Sequence, residues 1–137
     1  MLTSIKLTQL YVLDQDQALE FYVGTLGFEV HSDVDLGFMR WLTVCLPGQP
    51  EREILLEVPG PPALSPDVAA QVRDSLTKGA AGGWISLTTD DAFAMADELR
   101  SKGVEFTDEP SQKPYGVDFG IRDPFGNKLR IGQLFGG

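Results

Sequence analysis

The stretch LTQLYVLDQDQALEFYVGTLGFEV, Leu7 to Val30, decides how this chain is read. It opens with alternating residues, breaks at Asp14, continues as an amphipathic segment and closes on Gly27 before a second extended run. Alternation marks a strand with one buried face, whereas Ala18, Phe21, Tyr22 and Leu26 recur at helical spacing and share one side of a helix. Asp14 is the expected N-cap, because its carboxylate accepts orphan backbone N–H groups of the first turn; Gln17, three residues on, gives the capping-box form. Gly27 sits where a residue without Cβ closes a last helical turn cheaply.

The same grammar returns at WISLTTDDAFAMADELRSKGVEF, Trp84 to Phe106. Laid against the first stretch, it matches Asp14 with Asp90, Ala18 with Ala94, Gly27 with Gly103 and Glu29 with Glu105. Ala92, Met95, Ala96 and Leu99 supply the apolar face of the second helix. Two more strand candidates follow each stretch: FMRWLTVCL and EILLEV joined by PGQPER, then GVDFGI and KLRIGQ joined by RDPFGN. In the latter turn Pro124 fixes its own φ, Gly126 suits positive φ and Asn127 tolerates the left-handed region. Residues 1–58 and 83–137 therefore each read as strand, helix and three strands, an α+β pattern of two βαβββ modules in one domain. Residues 59–82 begin with prolines and end with glycines, and read as a linker. Within it Ser65 as N-cap and Pro66 at the first helical position predict a short helix.

A chain of 137 residues can bury a self-supporting core. Its one cysteine, Cys45, has no internal partner, which fits a reducing compartment. No signal-peptide pattern and no apolar run near the ~20 residues of a membrane span is present, so a cytoplasmic protein is expected. A net charge of −9 argues against nucleic acid and against an anionic membrane surface, both of which need Lys and Arg to neutralise phosphate. The same charge favours a neutral or cationic ligand. A nucleophile elbow, a phosphate-cradling glycine loop and a dinucleotide fingerprint are all missing.

The paired modules, the string ALEFYVGTLGFEV and the DPFGN turn together resemble the vicinal oxygen chelate superfamily of glyoxalases, extradiol dioxygenases and bleomycin-resistance proteins. The resemblance covers nearly all of the chain outside the linker. It implies the glyoxalase/bleomycin-resistance fold, in which curved mixed sheets form a cup. In the enzymes a divalent metal sits in that cup, held from the first and last strand of each module. On this sequence the four ligand slots fall at Leu7, Trp84, Glu57 and Arg130. Only Glu57 is a metal ligand by chemistry, and a catalytic centre takes about three protein ligands, so no metal and no other cofactor is expected. His31, beside Asp33 and Asp35, reads as an ordinary surface histidine in a loop.

Arg130 alternates with Leu129 and Ile131 and so faces away from the core. The resemblance sets it opposite Glu57, where a bidentate pair would fill the vacated centre, either as structure alone or while also meeting a ligand's polar edge. Trp41 and Trp84, the two tryptophans, fall at concave positions with Tyr11, and Tyr115 and Phe119 join them from the second module. The candidate ligand-binding residues are thus Tyr11, Trp41, Glu57, Trp84, Tyr115, Phe119 and Arg130; no catalytic residue is assigned. Likeness to drug-binding members implies a homodimer that binds a small planar or aromatic molecule, as in sequestration of an antibiotic or secondary metabolite. The alternative is an enzyme, a metal-dependent lyase or dioxygenase, or one using Glu57 as general base.

Overall fold

The computed structural model describes residues 1–136. The chain runs β1 (Leu7–Tyr11), α1 (Gln15–Leu19) continuing into a π-helical turn (Glu20–Thr25), β2 (Glu29–Asp35), β3 (Arg40–Cys45) and β4 (Glu53–Glu57). After α2 (Pro66–Thr77) the pattern repeats as β5 (Ile85–Thr88), α3 (Ala92–Ser101), β6 (Glu105–Lys113), β7 (Gly116–Arg122) and β8 (Lys128–Leu134). Two compact units result, Met1–Asp74 and Ser75 onward, and the division falls inside α2.

Each unit holds one four-stranded mixed sheet, ordered β1-β4-β3-β2 in the first and β5-β8-β7-β6 in the second. In both, the first and last strands pair in parallel and the others antiparallel, so the α+β repeat expected from the sequence is the fold observed. One face of each sheet packs on a helix. In the first unit Val12, Ala18, Tyr22, Leu42, Val44 and Leu56 are fully buried. In the second, Ala92, Leu99, Phe119 and Ile121 are equally closed off, with Ala96, Leu129 and Ile131 almost so. Each large side chain removed from water in this way contributes ~1.5–3 kcal/mol, which fixes the face that each of these residues turns to its helix.

The capping expectation holds with one shift. Asp14 accepts from the Gln17 N–H at 2.8 Å, but the second cap is Asp91, which accepts from Ala94 N–H at 3.0 Å, not Asp90. Counting back from Gly103 gave Asp90 because the first helix holds one residue more between cap and glycine. The π-helical turn takes up that residue, with Leu26 N–H reaching back five positions to the Phe21 carbonyl at 2.9 Å. The closing strands shift as well. Val12 N–H donates to Glu57 C=O and Thr89 N–H to Gly132 C=O, both at 2.9 Å, so the counterpart of Glu57 is Gly132 and that of Arg130 is Leu55.

Two further expectations are corrected. His31 lies on β2 at an irregularity in its pairing, not in a loop, and its Nδ1 is 2.9 Å from Glu53 Oε1. Asn127 does not adopt positive φ; it is buried and donates its Nδ2 to Asp123 Oδ2 at 2.7 Å. Gly126 does take φ +119°, and a Cβ there would lie 2.0 Å from the Leu76 carbonyl oxygen.

Candidate functional site

The site forms on the face of the second sheet away from α3. Along β8, Leu129 and Ile131 enter the core, which turns Lys128 and Arg130 outward. Along β7 the same alternation buries Phe119 and Ile121 and turns Asp118 and Gly120 toward Arg130, whose register partner is Gly120. β5 adds Ser86, which pairs with Arg130 across the parallel ladder, and Trp84 just precedes that strand. Together with Tyr115, these side chains line a cleft of about 500 Å³: Trp84, Ser86, Tyr115, Asp118, Lys128 and Arg130.

Its floor is an ion-pair network. Arg130 donates from Nη1 to Asp108 Oδ1 at 2.5 Å and from Nη2 to Asp108 Oδ2 at 3.2 Å, and Nη2 also reaches Asp118 Oδ2 at 2.8 Å. Asp118 further accepts from Lys113 Nζ at 2.5 Å and from the Tyr115 hydroxyl at 3.1 Å. Burial by itself would raise the Asp118 carboxyl, but the hydrogen bonds from Lys113, Arg130 and Tyr115 reverse that and hold it at about 2. The Asp108 hydrogen bond, ahead of the opposing effect of burial, raises Arg130 further above its already high value. Gly120 makes room for this network, since a Cβ there would stand 2.2 Å from Thr107 Oγ1, 2.6 Å from Asp108 Oδ1 and 2.7 Å from Arg130 Nη1.

Of the seven sequence candidates the cleft brings together Trp84, Tyr115 and Arg130. Trp84 is 62% and Tyr115 52% exposed, so both rings present free faces. Phe119 is a correction: it is fully buried on the helix side, stacked on Phe106 with centroids 5.5 Å apart. The partner expected for Arg130 is also corrected. Two aspartates of its own unit engage the guanidinium, while Glu57 accepts from Gln9 Nε2 at 2.9 Å in the first unit. Tyr11 and Trp41 stand half-buried in that first unit, the Tyr11 hydroxyl pushed up by burial and then by the Glu57 charge. Asp118, Lys113, Asp108 and Lys128 were missed. Strict alternation through GVDFGI would have found Asp118, because it cannot share a face with both Val117 and Phe119.

The first unit has a polar centre of its own on β3 and β4. Glu53, 4% exposed, accepts from Lys6 Nζ at 2.5 Å and from Thr43 Oγ1 at 2.9 Å, and lies against His31. The Lys6 hydrogen bond, outweighing burial, lowers its carboxyl pKa.

Residues 4–131 match the sequence pattern of the Glyoxalase/Bleomycin resistance protein/Dioxygenase superfamily. The chain belongs to this superfamily. Among similar proteins, the uncharacterized protein YurT of Bacillus subtilis (strain 168) is 33% identical over 130 residues, 94% of this chain and 98% of YurT. The crystal structure of UcmS2 superposes with a TM-score of 0.88 at 37% identity, covering 96% of this chain and 98% of that one. TnmS3, described as an antibiotic binding protein from Streptomyces sp. CB03234, superposes with a TM-score of 0.74 at 30% identity over 97% of each chain. The divalent metal of the superfamily's enzymes does not fit the donors present here. Among the described residues no group of three or more His, Cys, Asp and Glu side chains is placed to hold a metal ion.

Proposed function

We propose that the second-unit cleft binds a small, flat aromatic molecule without a metal, and that the protein sequesters an antibiotic or related secondary metabolite. The observation that carries this reading is the pairing of two exposed aromatic rings, Trp84 and Tyr115, with a polar floor whose charges already satisfy one another. A ring system laid in the cleft against either ring gains stacking and buried area, ~0.5–1.5 kcal/mol per aromatic pair beyond the area itself. It need not break the Arg130 network to do so. A paired floor also leaves no vacant carboxylate poised to take a proton from a substrate. The likeness to TnmS3 supports the same class of ligand.

The chain has two tryptophans, so Trp41→Phe leaves Trp84 as the sole indole reporter. Titrating that variant with naphthamide, a neutral flat probe, in the presence of a chelator should quench its emission saturably. Calorimetry on Trp84→Ala should show binding weakened by ~1–3 kcal/mol, the range for removing a buried aromatic contact. Absence of quenching, or quenching that the chelator abolishes, would overturn the proposal.

A further inference from the structure

Resting on that reading, we infer that the cleft selects an anionic aromatic ligand, one carrying a carboxylate or an ionised phenol, with Lys128 as the group that receives the charge. The net −9 of the chain suggests the opposite preference, but that charge is unevenly placed. Residues 1–74 hold four Lys and Arg against eleven Asp and Glu, a net of −7; residues 75–137 hold seven against nine, a net of −2. Within the cleft the sign reverses. Lys128 and Arg130 line it with the single carboxylate of Asp118, and adding the network partners Lys113 and Asp108 leaves three cations against two anions.

Which of these groups is free decides what a ligand meets. Both oxygens of Asp118 are taken, Oδ1 by Lys113 and Oδ2 by Arg130 and Tyr115, and both oxygens of Asp108 are taken by Arg130. A cationic ligand therefore has to compete with these donors for the floor's carboxylates, and displacing one would leave a partly buried guanidinium or ammonium unpaired. Lys128 is different. Among the described residues its ammonium has no ion pair or hydrogen bond, and the residue lies exposed on the cleft wall beside the strand position of Arg130. Alternation fixes it there: Leu129, 1% exposed, anchors the strand between the two cations and keeps them on one face. An acidic ring compound can stack on Trp84, which precedes the strand position paired with Leu129, with its anion toward this amine.

The test uses naphthoate, naphthamide and naphthylmethylammonium, which share a ring and differ in charge, titrated against the full chain at neutral pH and low ionic strength. Naphthoate should bind about fivefold tighter than the amide, the scale of one solvent-exposed ion pair, and the ammonium weakest. The acid-to-amide ratio should fall toward one at high ionic strength, and likewise in Lys128→Gln, while Lys128→Arg keeps it. Equal binding of acid and amide, or a ratio that survives Lys128→Gln, overturns the inference yet leaves an aromatic-binding cleft in place. If none of the three probes binds, the proposed function fails and the inference with it. The salt dependence is read on the parent chain, so it stands even if a Lys128 variant folds poorly.

Discussion

At the scale of single residues, Asp118 does most to define the site, since a carboxylate only 7% exposed joins a lysine, an arginine and a tyrosine. Its pKa of about 2 is also a statement about stability. The folded-state pKa lies below the unfolded value of about 3.9, so its stabilisation is fully present above that value and is lost as pH falls toward 2. The expected size is about 2–3 kcal/mol, from roughly 1.4 kcal/mol per unit. Glu53 and Asp33 are lowered too, so the parent's acid sensitivity mixes several carboxylates. Urea midpoints for the parent and Asp118→Asn, taken from pH 6 to 2, separate them. The gap between the two proteins should be widest near neutrality and close between about pH 4 and 2. Parallel curves across that window would show that Asp118 carries no linked stability.

At the scale of elements, the turn between β7 and β8 positions the cleft's two cations. Asp123 Oδ1 accepts three backbone N–H groups, from Phe125 at 3.0 Å, Gly126 at 2.9 Å and Asn127 at 2.8 Å, all in a buried setting. Removing the carboxylate in Asp123→Ala strands these donors, and an expected loss of ~2–3 kcal/mol follows from buried groups left unsatisfied. A shift of less than ~1 kcal/mol in denaturant unfolding would mean that water replaces the carboxylate. The pattern of this turn stood plainly in the sequence as Asp-Pro-Phe-Gly-Asn, and so did the helix faces, because periodicity reports burial directly. What it hid was count. One extra residue in the first helix, absorbed as a π-turn, moved the second cap from Asp90 to Asp91, and a two-residue offset in the closing strands paired Glu57 with the wrong counterpart. An offset of two keeps every side chain on its expected face, so Arg130 turns away from the core as its alternation with Leu129 and Ile131 requires, although its partner differs. Phe119 differs for another reason: strand alternation buries it beside Ile121, and aromatic character alone does not place a ring in a cleft.

At the scale of the whole molecule, duplication gives two open sheets rather than one closed one. Each sheet ends in edge strands, β1 and β2 in the first unit and β5 and β6 in the second, and such edges invite pairing or cover. The edges carry partial protection: Pro110 interrupts the donors of β6, and Asp33 and Asp35 charge β2. Large apolar side chains nevertheless stay exposed, among them Val34 at 48%, Phe38 at 65% and Phe135 at 57%. A second copy of the chain is the expected cover, so sedimentation at micromolar concentration should report twice the 15.0 kDa chain mass. The net charge sets the salt response expected of such a dimer. Two chains of −9 repel, and screening removes the repulsion, so added salt should tighten association and dilution at low ionic strength should split it. An association held instead by complementary ion pairs would weaken with salt, and a single 15.0 kDa species at every ionic strength would mean that the exposed apolar residues are tolerated by a monomer.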